Sequence, residues 1–358
     1  MDKNQLKEEI IALCSLMTVS GFENRSVETI AKMYESSFDE IKTDGAGNIL
    51  LIKRCGRENA PMALVDAHLD EIGMLVTEVL EGGFLRIAPI GGIDPCIMQG
   101  ADVCVWGKEK LWGVVISTPP HLRKAGEDKL PPVNELMVDV GLGYAKEELE
   151  ELIPVGTPVG FAPLYSQLLG DKIAGKSFDD KACGAIAIAA VAEAPKEKLA
   201  ADVCVMLSRY EETSRLGGVA VGVFTVKPDY AMVIDVNLAT VPDVPKRESV
   251  EMDKGISITL SAGTHKGLTK MTEELCREKE IPYTLSVCPS YTGTNASTVN
   301  LVGEGVPVVD IGLPLKSMHT YNEVISLLDS MSLLKLVYEF VTSEKLAKAF
   351  IAKEEIIK

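Results

Sequence analysis

Between about residues 72 and 164 the helical periodicity that marks both flanks of the chain disappears, and this gap constrains the fold more than any other feature. In its place stand short apolar runs, MLVTEV, FLRIAPI, DVCVWG, LWGVVIS and ELMVDVG, punctuated by glycine and proline. Runs of this length between such breakers read as β-strands. No good helix is expected between Gly73 and Lys146, so the stretch is an inserted all-β module. Upstream come two helical patterns (3–17 and 22–37), EIKTD, the turn GAGN at 45–48, ILLIK, and a buried strand from Pro61 to Ala67 that runs into His68. Downstream, the small-residue helix 183–194 precedes the strands ADVCVML, AMVIDV (231–236) and ISITLS (256–261). A helix at 267–279, the strand PVVDIGL (307–313) and a helix at 321–342 follow. Repeated strand–helix units predict an α/β fold: a mixed, mostly parallel sheet with helices on both faces. A chain of 358 residues exceeds the roughly 250–300 at which single cores stop growing. The expected division is a discontinuous catalytic domain, 1–71 and 165–358, carrying an inserted β domain, 72–164.

Composition excludes several classes. Lys and Arg number 36 against 52 Asp and Glu, a net charge of −16, so the surface repels phosphate backbones and nucleic acid is not an expected partner. The eight cysteines stand apart with no CxxC, which fits neither a zinc ribbon nor a redox pair; they read as small buried hydrophobes in a reducing compartment. The N-terminal MDKNQLKEEIIALC is amphipathic and carries acidic residues, unlike a secretory signal. No window approaches the ~18 apolar residues of a membrane span, and the expected location is the cytoplasm, with no membrane partner.

Polar residues stand against apolar segments at five places. In DAHLDEIG, strand alternation puts His68 and Asp70 on one face, a ligand and its orienting carboxylate; a solvated loop after the strand is the plainer reading. In KSFDDKACG, Asp179 and Asp180 stand before the small-residue helix, where one carboxylate can bridge two cations or simply cap the helix. Glu211 and Glu212 follow ADVCVML, one suited to bind a metal and the other to take a proton from water; an acidic surface turn is the alternative. Asp235 lies in AMVIDV, where a carboxylate is costly to bury unless paired or coordinated. His319 falls between a strand and a long helix. Together they form a nitrogen and oxygen donor set at strand carboxyl ends, where open α/β sheets build their sites. Such donors without thiolate favour Zn²⁺, Co²⁺ or Mn²⁺, and the implied reaction is metal-assisted hydrolysis.

The motifs DAHLDEIGMLV, SFDDKACG, YEETSRLGG, VIDVNLATVPD, GTNAS and IGLPLKSMHT resemble, in order, those of the glutamyl or deblocking aminopeptidases, dinuclear zinc or cobalt peptidases that assemble as tetrahedral particles. GGIDPCIMQG and TPPHL extend the likeness into the module. The resemblance implies a zinc-peptidase-like catalytic domain, with His68 and Asp235 binding one metal each side of a bridging Asp and Glu212 and His319 completing the shell. The bridge is usually the first Asp of the pair, which points to Asp179, with Asp180 the alternative. The resemblance further makes Glu211 the general base and has Asp70 hold His68. It implies two divalent ions, short peptides as substrates, and a module that drives dimerisation and further assembly up to a dodecamer. Several positions depart from the family pattern: Lys181 for Arg, Thr213 to Leu216 for Val-Gly-Leu-Arg, Asn295 for Asp, Leu315 to Ser317 for an Arg-Tyr segment, and Tyr321 for proline. None removes a ligand or the base, but they reshape the substrate pocket. The rival readings are a hydrolase of other small amides such as N-acyl amino acids, a non-catalytic assembly scaffold, and a polysaccharide hydrolase working by two carboxylates without metal, which leaves the two histidines idle.

Overall fold

The helix that fills the centre of the larger unit is built mainly of small residues. Phe178–Glu193, FDDKACGAIAIAAVAE, is buried through Val191, the signature of a helix packed on every side. It lies between the sheet and the helices Lys3–Cys14 and Leu327–Thr342. A β-carbon on Gly184 would stand 2.9 Å from a Leu207 methyl, so glycine permits the close helix-to-sheet approach. The computed structural model describes residues 1–116, 121, 131–141, 143–214, 217–242 and 244–351. Most of TPPHL (118–120 and 122) and positions 215, 216 and 243 lie outside the described residues.

Among the described residues, the main sheet has eleven strands. Its middle, Asp202–Ser208, Met62–His68, Tyr230–Leu238 and Val308–Lys316, is parallel; the strands flanking it join antiparallel, and a side branch, Ile256–Ser261 with Tyr283–Cys288, pairs parallel within itself. Side-chain alternation divides each central strand between two cores. Ala63, Val65 and Ala67 join the helices Lys3–Cys14, Phe178–Glu193 and Leu327–Thr342. Leu64 joins the helix Val219–Val226 on the opposite face. Continuing that alternation puts Asp66 and His68 on the second face, and on the neighbouring strand Asp235 follows Ala231 and Val233 to the same side. The expected sheet with helices on both faces is therefore present.

The inserted stretch forms a closed six-stranded barrel, Gly73–Val79, Phe84–Ile90, Met137–Asp139, Lys110–Ile116, Asp102–Trp106 and Pro158–Phe161 in spatial order, with its own core. Among its described residues it is not wholly β: the helix Lys146–Leu152 and two short 3₁₀ turns interrupt it. The helix expected at 321–342 also differs, because Glu323–Ser326 is a strand and the helix begins at Leu327. All eight cysteines are free, six of them buried. No helix among the described residues is long and apolar enough to cross a membrane.

Where the chain leaves the sheet for the barrel, Glu71 is buried among Lys176, Lys181 and Ser177. It pairs with Lys176 and accepts from Ser177, while the Lys181 ammonium lies 2.9 Å from the same oxygen, Oε2. Its other oxygen accepts the Thr18 N–H at 3.0 Å. Burial alone would raise the Glu71 carboxyl, but Lys176 and Lys181 pull it down to about 2. A depressed carboxyl stabilises the fold fully above its unfolded pKa, near 4.5, and loses that contribution as pH falls toward 2. Glu71→Gln leaves two buried ammonium groups without their partner, an expected loss of about 3–5 kcal/mol at pH 7. Urea titrations at pH 7 and pH 3 check this: the gap between wild type and variant shrinks at the lower pH.

Candidate metal centre

Each loop that carries a candidate ligand has a non-glycine residue in the left-handed region: Ser177 (φ 58°) before Asp179, Tyr210 (φ 64°) before Glu211, and His319 itself (φ 59°). Such conformations cost roughly 1–3 kcal/mol apiece and persist where surrounding contacts enforce them. Glu71 holds the hydroxyl of Ser177. The Tyr210 carbonyl closes the turn by accepting the Ser214 N–H at 2.9 Å, and Glu323 holds the backbone of His319. Asp179 and Asp180 open the central helix with non-helical dihedrals and a cis peptide bond between them.

The result is two clusters that share one residue. His68, Asp179 and Asp235 present donor atoms within 4.8 Å of one another, as do Asp179, Glu212 and His319. Asp179 Oδ1 lies 3.0 Å from His68 Nε2, and Oδ2 lies 3.5 Å from His319 Nε2. Its two oxygens thus face opposite histidines, while Glu212 approaches His319 Nε2 at 3.4 Å. His68 and Asp235 fall on the same side of Asp179, which corrects the sequence expectation of one on each side. Asp180 belongs to neither cluster; its Oδ2 accepts the backbone N–H of His68 at 3.0 Å.

His68 Nδ1 lies 2.9 Å from the carbonyl oxygen of Asp70. A carbonyl only accepts, so Nδ1 carries the proton and Nε2 is left to face the cluster. The Asp70 carboxylate, 3.6 Å from Nδ1, is engaged elsewhere, since its two oxygens accept the N–H groups of Glu211 and Glu212, each at 3.1 Å. Asp70 therefore orients His68 through its backbone and holds the Glu211–Glu212 turn through its side chain. Glu211 is partly open, with Oε2 4.0 Å from His68 Nε2.

The electrostatics call for cations. Burial, compounded by repulsion from neighbouring carboxylates, Asp179 beside Glu212 and Asp180 and Asp179 beside Asp235, pushes the carboxyls of Glu212 and Asp235 well above their ordinary values. Burial disfavours the His68 imidazolium, yet Asp179, Glu211 and Asp235 raise its pKa well above normal. Among the described residues no Lys or Arg pairs with Asp179, Glu211, Glu212 or Asp235. Buried carboxylates without a Lys or Arg counter-ion fit bound cations, and the mixed imidazole and carboxylate donors fit the first-row ions named above. Of the other histidines, His121 is exposed, and His265 caps the helix Lys266–Glu278, its Nδ1 accepting the Leu268 N–H.

The barrel reaches this centre. A β-carbon on Gly92 would lie 3.0 Å from His319 Nδ1, so the loop after Phe84–Ile90 packs against that histidine. The Phe161 and Tyr321 rings stand 5.8 Å apart. Two supporting residues escape sequence reasoning. Glu71 looks like one more acid in an acidic chain, and Glu323 lies in what reads as the start of a helix.

This α/β sheet with an inserted barrel and a shared-carboxylate His/Asp/Glu centre defines a class of metal-dependent peptidases. The sequence profile of the M42 glutamyl aminopeptidases matches residues 47–336, and the chain belongs to that family. It is 29% identical over 323 residues to a lysyl aminopeptidase of Pyrococcus furiosus, covering 89% of this chain and 91% of that protein. Its fold matches aminopeptidase APDkam598 from the archaeon Desulfurococcus kamchatkensis with a TM-score of 0.88 and 30% identity, covering 99% of both chains. The Pyrococcus horikoshii TET1 peptidase, which can assemble into a tetrahedron or a large octahedral shell, matches with a TM-score of 0.82 and 27% identity over 94% of this chain and 99% of that one.

Proposed function

We propose that the chain is a cytoplasmic aminopeptidase that removes N-terminal residues from short peptides at a centre for two divalent ions, Zn²⁺, Co²⁺ or Mn²⁺. The observation that carries this reading is Asp179, whose two oxygens face His68 and His319. His68 and Asp235 would hold one ion and Glu212 and His319 the other, with Asp179 common to both. When bound, such ions polarise a peptide carbonyl and acidify water.

The chain's own residues supply the rest. Asp70 holds both glutamates of the turn, so Glu211 can face the reaction while Glu212 serves as a ligand. Burial raises the Glu211 carboxyl above its ordinary value, the direction that makes a carboxylate a stronger base. Its oxygen takes a proton from the attacking water and returns it to the departing amine. The domain division at 1–71 plus 165–358 and 72–164, and assembly of the chain with copies of itself through the barrel, are part of the same proposal.

The test strips the protein with chelator, reloads it with Zn²⁺, Co²⁺ or Mn²⁺, and presents aminoacyl chromogenic substrates and short peptides. Metal-restored release of N-terminal residues is the expected result. Cleavage of N-acyl amino acids alone replaces the substrate class, and failure to bind metal defeats the reading.

A further inference from the structure

One buried acid touches both arms of the second cluster without belonging to it. Glu323, 2% exposed, starts the strand Glu323–Ser326, where it pairs with Gly175 at the end of Lys172–Gly175. Four residues on from Gly175 the chain reaches Asp179. Glu323 Oε2 accepts the Asp179 N–H at 3.1 Å, and Oε1 accepts the His319 N–H at 3.1 Å. A single carboxylate thus ties together the backbones of two candidate ligands that come from segments 140 residues apart (319 minus 179).

The contacts distinguish this acid from a structural one. Glu71 is neutralised by two lysines, whereas among the described residues Glu323 is in no ion pair with Lys, Arg or His, and both its oxygens go to the ligand-bearing peptides. His319 has most need of such a hold: its side chain is 37% exposed, against 2% for His68, and its backbone is left-handed. Gly92 packs against its ring from the barrel side, so Glu323 and Gly92 confine it from two directions. Outer partners that fix a ligand's orientation are worth about 10–100-fold in metal affinity.

The geometry points to Glu323 as a positioning residue weighted toward one half of the centre: it sets both Asp179 and His319 for the ion they share with Glu212, whereas the His68 and Asp235 half depends on it only through the shared Asp179. This inference rests on the two-ion reading above. The test titrates chelator-stripped, full-length protein with Zn²⁺ by calorimetry. Wild type is expected to take up two ions per chain. Glu323→Gln, which retains one oxygen acceptor and places an NH₂ against the other N–H, is expected to bind one ion about 10–100-fold more weakly and the other with a smaller loss. Glu323→Asp, too short to span both N–H groups, gives the same split. In a His319→Ala background, Glu323→Gln causes a smaller loss than it does in wild type, since of the two ligands it holds only Asp179 then remains.

The failures are separable. Wild type taking up fewer than two ions defeats the two-ion reading and this inference with it. Two ions bound equally well by wild type and both Glu323 variants overturn the inference alone. So does equal weakening of both sites, or loss of the fold in both variants, because Glu323 then serves the structure as a whole.

Discussion

Glu211→Gln is expected to lower kcat by about 10²–10⁴-fold while the protein keeps two bound ions. The substitution removes the proton acceptor but preserves the shape of the turn. The turn is held by the Asp70 carboxylate through the backbone N–H groups of residues 211 and 212, not through the Glu211 side chain, so Glu212 stays in place. Glu211 belongs to neither ligand cluster, and its nearest approach to His68 Nε2 is 4.0 Å. The measurement pairs kcat with metal content by mass spectrometry on the same preparation. Normal turnover removes Glu211 from the mechanism. Lost turnover accompanied by lost metal makes it a ligand.

Much of this arrangement is legible in the sequence because the central strands end in residues their neighbours do not resemble. His68 closes an apolar run, and Asp235 interrupts one; both follow the alternation that divides the sheet between two cores. The barrel is legible as a loss of helical period, although Lys146–Leu152 shows that the loss is incomplete. The choice between Asp179 and Asp180 is beyond composition and spacing. Both are buried, and the backbone turn at Ser177 to Asp180 sends one carboxylate between the histidines and the other toward the His68 N–H. Nor can periodicity find a four-residue strand, so Glu323–Ser326 merges into the pattern of the helix behind it. The sequence points to Asp70 as the partner of His68, but pattern gives no hint that its carbonyl fills that role while its carboxylate serves the glutamates. Such roles depend on which atom of a residue faces which neighbour.

That difference between adjacent aspartates gives the second large effect. Asp179→Asn keeps one oxygen and replaces the other by an amide nitrogen, which cannot serve as a carboxylate donor. Whichever way the amide turns, one of the two clusters loses a ligand. The variant is expected to retain at most one ion per chain under conditions where wild type holds two, with weakening beyond the roughly 10–100-fold attached to outer partners of a ligand. Hydrolysis should fall with the missing ion, because Glu212 and His319, or His68 and Asp235, are then two donors without their shared third. Asp180→Asn is the internal control. Its remaining oxygen can still accept the His68 N–H, and it contributes to neither cluster, so both ions should stay. Metal content of the two variants after dialysis against limiting Zn²⁺ decides the matter. Loss of ions from Asp180→Asn with retention by Asp179→Asn transfers the bridge to Asp180, and equal retention by both ends the assignment of a bridging carboxylate to this pair.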